Sequence, residues 1–158
     1  MARHTRTARA HARVAVTVGI IGLLTAATVG VAQAGDDDKK VGDTPCGVDV
    51  RACVDLEHDK AWLIDDGEVV RGPVKISPGS EARPTPTGDF RVQWKDRNHL
   101  SREFENRPMP FAVFFADGGI AFHEGNLNSS SAGCVRLSEE DASAFFDFLQ
   151  PGDPVEVH

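Results

Sequence analysis

Two Asp-Gly turns constrain the fold most. Asp66-Gly67 separates the apolar run Ala61–Ile64 from Val69-Val70, and Asp117-Gly118 separates Phe111–Ala116 from Ile120–His123. This dipeptide between short apolar runs is a strong local signal for a hairpin. Val74–Ile76 extends the first hairpin. Ala52–Leu56 and Phe90–Trp94 alternate at period two and read as strands with one buried face, and Val155–Val157 reads as a last strand. Only one segment has a convincing helical pattern. Ser138 is a capping residue, Glu139, Glu140 and Asp141 suit the positive end of a helix, and Ala142, Phe145, Phe146 and Leu149 form one apolar face before Pro151-Gly152 stops it. The sum is a mainly β domain with one helix in its C-terminal region. Lys95–Pro110 fits neither pattern. It holds seven charged residues and little periodicity, which predicts a long functional loop, a lid over the site, with His99 in it.

The first 13 residues contain four Arg and no acid, and Val14–Ala34 is an uncharged stretch of 21 residues ending in Ala-Gln-Ala. A basic start, an apolar middle and a small-x-small end describe an export signal over residues 1–34. The stretch is also long enough to span a bilayer, so an uncleaved anchor is the competing reading. Either places the remainder outside the cytoplasm, secreted or associated with the cell wall, with membrane contact only through the N-terminal segment. Residues 35–45 are polar and aperiodic, a linker, and residues 46–158 make one domain. From residue 35 onward 13 Lys and Arg face 24 acids, a formal charge of −11. Nucleic-acid binding is disfavoured, because phosphate contacts need a basic face.

Cys46 and Cys53 have six residues between them. Outside the cytoplasm such a pair is expected as a disulfide. No C-x-x-C or H-x-x-x-H spacing supports zinc, and no metal is expected.

Cys134 is left odd. A thiol with an imidazole in reach is the smallest set that makes a cysteine nucleophile with its general base. His4 and His11 fall in the signal, His158 is terminal, His58 is near a turn and His99 is in the charged segment. His123 ends a predicted strand, and a ten-residue loop joins it to Cys134. Gly133 permits close backbone approach and a positive φ, and amides around Gly133 and Cys134 are candidate donors to an oxyanion. Each residue alone also has a bland reading, the Cys as a small core hydrophobe and the His as a partly exposed strand end. The pair within Ser-Ala-Gly-Cys-Val-Arg favours chemistry.

Residues 121–137, AFHEGNLNSSSAGCVRL, resemble the signature of the L,D-transpeptidase catalytic domain, a His followed by S-x-G-C-x-R. Residues 83–90, RPTPTGDF, resemble that family's T-P-x-G-x-F turn into a strand. Residues 106–111, NRPMPF, running on into VFFADGGIAFHEG, resemble its small secreted actinobacterial members. The likeness covers about residues 46–157. It implies a β-sandwich-like fold with a helix packed on it, and acyl transfer on peptidoglycan stem peptides without cofactor, by an enzyme expected to be a monomer. Cys134 would be the nucleophile and His123 the base, with Gly133 and Cys134 shaping the oxyanion site. Ser131 would belong to the oxyanion and substrate-binding site, supporting the loop rather than reacting. Arg136 would orient substrate or sit in an internal salt bridge. Thr85, Pro86 and Gly88 would be architectural. Many members have a second His where this chain has Ala132. Three outcomes are open at this stage: formation of 3→3 cross-links, L,D-carboxypeptidase hydrolysis of the same acyl-enzyme, or a degenerate wall-binding module.

Overall fold

The computed structural model describes residues 40–158, so the expected export signal lies outside the described residues. The chain forms β1 (Ala52–Asp55), β2 (Lys60–Asp65), β3 (Glu68–Lys75), β4 (Gly88–Arg91), β5 (Trp94–Ser101), β6 (Arg107–Ala116), β7 (Ile120–Glu124), β8 (Val135–Leu137), α1 (Glu139–Phe148) and β9 (Pro154–Val157). These make two mixed sheets. One has the order β3-β2-β1-β9-β4 and the other β5-β6-β7-β8. Both predicted hairpins form, as β2–β3 and β6–β7. The architecture is mainly β with one helix packed on it, as the sequence implied.

The faces follow from alternation. Val113 and Phe115 of β6, Phe122 of β7, and Val135 and Leu137 of β8 point into a common core with Ala52, Val54 and Leu63 of the other sheet. Helix α1 closes that core over β6, β7 and β8 through Ala142, Phe145 and Leu149. Phe122 is the hub, with ring centroids 4.7 Å from Phe115 and 5.2 Å from Phe145. Ser138 caps α1 by accepting from the Asp141 amide at 3.2 Å. Met109, Ala112, Phe114 and Ala121 of β6 and β7 form a second cluster, against which Cys134 packs. The four-stranded sheet therefore presents its inner face to the core and its outer face to the functional residues.

Two expectations need correction. Phe90–Trp94 is not one strand. It turns a corner at Val92-Gln93, leaving the first sheet as β4 and entering the second as β5. Nor is Lys95–Pro110 an irregular loop. Its first half is the edge strand β5, paired with β6 from Trp94↔Phe114 to Ser101↔Arg107, and a single 3₁₀ turn at Arg102–Phe104 forms the tip. Of the expected linker, residues 40–45 are described. Val41 and Thr44 are buried, and Val41 packs with Cys46, Cys53, Trp62 and Ile64. Cys46 and Cys53 are joined as a disulfide and Cys134 is free. Among the described residues no helix is long and apolar enough to cross a membrane.

Candidate active site

Strands β7 and β8 run parallel, with Phe122 opposite Val135 and His123 opposite Arg136. This register sets Cys134, the residue before β8, beside β7 on the same face as His123. Both line one open cleft of about 940 Å³. His99 lines it too, whereas His58 and His158 lie elsewhere, next to Asp55 and Glu156. Although the 95–110 segment is a hairpin rather than a loop, it borders the cleft as expected, through His99, Glu103 and Phe104 among others.

His123 is only 7% exposed. Its Nδ1 lies 2.6 Å from the carbonyl of Glu124. A carbonyl can only accept, so Nδ1 holds the proton and Nε2 keeps the lone pair that a general base needs. Burial pulls the imidazole pKa down to about 4, the Glu124 bond opposes this, and the charges of Arg136 and His99 lower it further. Burial also raises the Cys134 thiol above its ordinary value. The Ala121 amide and the charge of Arg136 pull it partly back, and Glu103 adds to the rise. The Cys134 thiol donates to the carbonyl of Gly119 at 3.6 Å. The resting pair is therefore a neutral thiol and a neutral imidazole.

The loop before Cys134 is tightly laced. Ser131 Oγ donates to the carbonyl of Cys134 at 2.6 Å and accepts from the amide of Gly133 at 3.0 Å. The amides around Gly133 and Cys134 are the expected oxyanion donors, but that of Gly133 already has a partner. In the structure that amide is used inside the loop, because Ser131 is the nearest acceptor in a turn this tight. Gly133 has φ +116°, and a Cβ there would sit 2.5 Å from Ile120 Cδ1, so the turn requires glycine. Ser131 thus supports the loop and also lines the cleft. Thr85 is buried and ties the 79–85 segment to this loop: its hydroxyl donates to the carbonyl of Gly133 at 2.8 Å and accepts from the Gly79 amide at 2.9 Å. Ser77 exchanges backbone bonds of 3.0 and 2.9 Å with Arg136. The role of Thr85 is the architectural one expected, although its partner Gly133, 48 positions away, is not visible in the sequence.

Arg136 makes no salt bridge among the described residues. Its Nη1 donates to the carbonyls of Ser129 at 2.9 Å and Ser130 at 3.2 Å, which pins the loop over the cleft. Ala132 is half-buried beside the thiol.

The YkuD family model, described as the L,D-transpeptidase catalytic domain, matches residues 49–157. The chain belongs to the L,D-transpeptidase catalytic domain family. A curated relative, L,D-transpeptidase 1 of Mycobacterium tuberculosis, is 30% identical over 113 aligned residues, covering 58% of this chain and 43% of the relative. The chain therefore spans less than half the length of that relative. Among solved structures, an L,D-transpeptidase from Stackebrandtia nassauensis superposes with a TM-score of 0.63 at 27% identity, covering 68% of this chain and 54% of that one. A crystal structure of M. tuberculosis L,D-transpeptidase 1 gives 0.61 at 26% identity, covering 71% and 62%. Another similar structure, LdtMt1 in complex with imipenem, gives 0.62 at 25%, covering 71% and 60%. The cleft of this L,D-transpeptidase domain lies on the outer face of β5–β8, where the motif residues converge.

Proposed function

We propose that the protein is an exported peptidoglycan L,D-transpeptidase that makes 3→3 cross-links through a Cys134 thioester. The observation that supports this best is the placement of the free thiol of Cys134 and the lone pair of His123 Nε2 in one cleft, on adjoining strand ends, within a domain of this family.

The steps follow from the residues. His123 Nε2 takes the thiol proton as sulfur attacks the carbonyl of the third-position diamino acid of a donor stem. The carbonyl π pair moves onto oxygen, where the amide of Cys134 stands as a backbone donor, since that of Gly133 serves Ser131. The tetrahedral intermediate collapses, the C–N bond to D-alanine breaks, and the imidazolium returns its proton to the leaving amine. The thioester that remains is attacked by the side-chain amine of a neighbouring stem. His123 takes that amine's proton, a new amide forms, and the departing sulfur is reprotonated by the imidazolium. No metal or organic cofactor enters.

Intact mass after incubation with a carbapenem tests the first half. A single adduct on the wild type, lost in Cys134→Ala, is expected, and labelling that persists in the variant overturns the assignment of the nucleophile. Muropeptide analysis tests the second half. Cross-linked 3→3 dimers are expected, whereas free tripeptide stems alone make the protein an L,D-carboxypeptidase.

A further inference from the structure

The outer face of the four-stranded sheet carries a feature that acyl transfer does not use. Trp94 lines the cleft, is 44% exposed, and is the only aromatic among the exposed large hydrophobic residues described. Trp62, the other indole, is buried in a separate cluster. One face of the Trp94 ring is stacked on Phe114, with centroids 3.8 Å apart and planes 9° from parallel. His99 braces the stack edge-on, 5.4 Å from Trp94 and 5.0 Å from Phe114, and its Nδ1 is 3.3 Å from Asp96 Oδ2. The indole is thus held by two rings and is still 44% exposed where it lines the cleft. Exposure of one aromatic residue is ordinary, but a ring ordered by two others in the cleft that holds Cys134 offers a face on which a ligand can stack.

Its position suggests which ligand. Trp94 is opposite Phe114, Phe114 is opposite Ala121, and Cys134 lies next to Ala121 across the last strand pair. One row therefore leads from Trp94 to the thiol over three strand spacings, roughly 14 Å at the usual separation. In the proposed donor, three stem residues separate the attacked carbonyl from the sugar. An extended peptide of that length covers roughly 10–11 Å, and the link to the sugar adds to it. The stem offers methyl groups, carboxylates and amines, none of which needs a flat apolar platform. A pyranose ring offers a face of C–H groups whose small positive charge suits the negative face of an indole.

We propose that Trp94 is a stacking platform for the sugar ring that bears the donor stem, so that the enzyme selects stems still attached to glycan over free peptides. This rests on the transpeptidase reading above. The test compares kcat/KM for a disaccharide-tetrapeptide donor with that for the same tetrapeptide free. The wild type should favour the disaccharide form by roughly five- to tenfold, in the range of a single ring stack. Trp94→Leu should bring the ratio close to one, and Trp94→Phe should keep most of it. A wild-type ratio near one, or a Trp94→Leu variant that keeps the full preference, overturns the proposal. A second measurement needs no turnover. Titrating the Cys134→Ala protein with the muramic-acid disaccharide alone should shift indole emission, because Trp62 is shielded, and Trp94→Phe should abolish that shift. Absence of a shift at millimolar sugar refutes the platform. Failure of carbapenem labelling, by contrast, refutes the transpeptidase reading and leaves the titration to decide the sugar site.

Discussion

The neutral resting pair makes a sharp prediction about His123→Ala. An ordinary thiol titrating at 9.0 is about 1% thiolate at pH 7, and burial of Cys134 makes the fraction smaller. Without the proposed base, acylation must wait for that fraction. The loss in acylation rate at pH 7 should therefore be roughly 10²- to 10³-fold, within the usual range for a positioned general base. The pH profile distinguishes this cause from simple damage. Wild-type His123 is deprotonated above about pH 4, so its rate should be nearly level between about pH 5.5 and 8. The variant's rate should instead climb about tenfold per pH unit, and the deficit should narrow by the same factor toward pH 9. The assay is the second-order rate of carbapenem adduct formation, followed by intact mass from pH 5 to 9.5. A variant within threefold of wild type at pH 7, or a wild type that itself climbs tenfold per unit, would refute a neutral pair served by His123.

Thr85→Val keeps the shape but leaves the Gly79 amide and the Gly133 carbonyl without their side-chain partner. It should cost roughly 2 kcal/mol in denaturant unfolding and slow acylation with the thiol still present. Replacing Cys46 and Cys53 together by Ala should cost about 2.5 kcal/mol, from the short loop they close; an unchanged denaturation midpoint would contradict this. The depressed His123 pKa also acts on stability. The unfolded chain binds a proton near the ordinary 6.5 and the folded one only near 4, so stability present above 6.5 falls as pH drops, by roughly 3 kcal/mol at pH 4. His123→Gln should lose less over the same span, in paired denaturation series at pH 7.5 and 4. On the proposed role of His123 as base, Ala132→His should change acylation by less than tenfold; a rise of 10²-fold would mean that His123 does not serve Cys134.

The elements legible in the sequence are those whose pattern is written in apolar residues. Both Asp-Gly hairpins, β1, β9 and the Ser138-capped helix appear where their apolar runs and turn signals place them; β9 and the helix bury one face, whereas β1 and β2 are buried on both and β3 has no buried residue. Strand β5 was hidden because its pattern is written in charge. Lys95 reaches the C-terminal end of α1, donating to the carbonyls of Phe146 and Leu149 at 2.7 and 2.6 Å, and Arg97 lies over the rings of Phe111 and Phe146. Two cations cover a helix end that a β-branched residue would normally cover, and Trp94 on the opposite face is exposed. An edge strand with a polar cleft on one side and a helix terminus on the other has no reason to alternate in hydropathy. The short β8 was hidden for another reason. Val135–Leu137 is too brief to show a period, and its place is set by Phe122 and Ser77, partners distant in the chain.

The site divides along the same line. Cys134 and His123 were legible because their chemistry is specific to their side chains, and a free thiol stands out once Cys46 and Cys53 pair. What holds them was not, because it consists of backbone groups. The proton on His123 Nδ1 is fixed by a carbonyl, that of Glu124, and the Cys134 turn is fixed by the carbonyl of Gly133 and the amide that Ser131 accepts. Every residue type has those groups, so no pattern of letters marks them. This bears on the missing imidazole at position 132. A second His beside the thiol would be one way to hold Cys134 and share its proton. Here Ser131 and Thr85 hold the turn through main-chain atoms, and the tautomer of His123 is set without any side-chain partner. Main-chain atoms thus hold the Cys134 turn and the His123 ring in place without a second imidazole, and the Ala132→His comparison tests whether that positioning suffices.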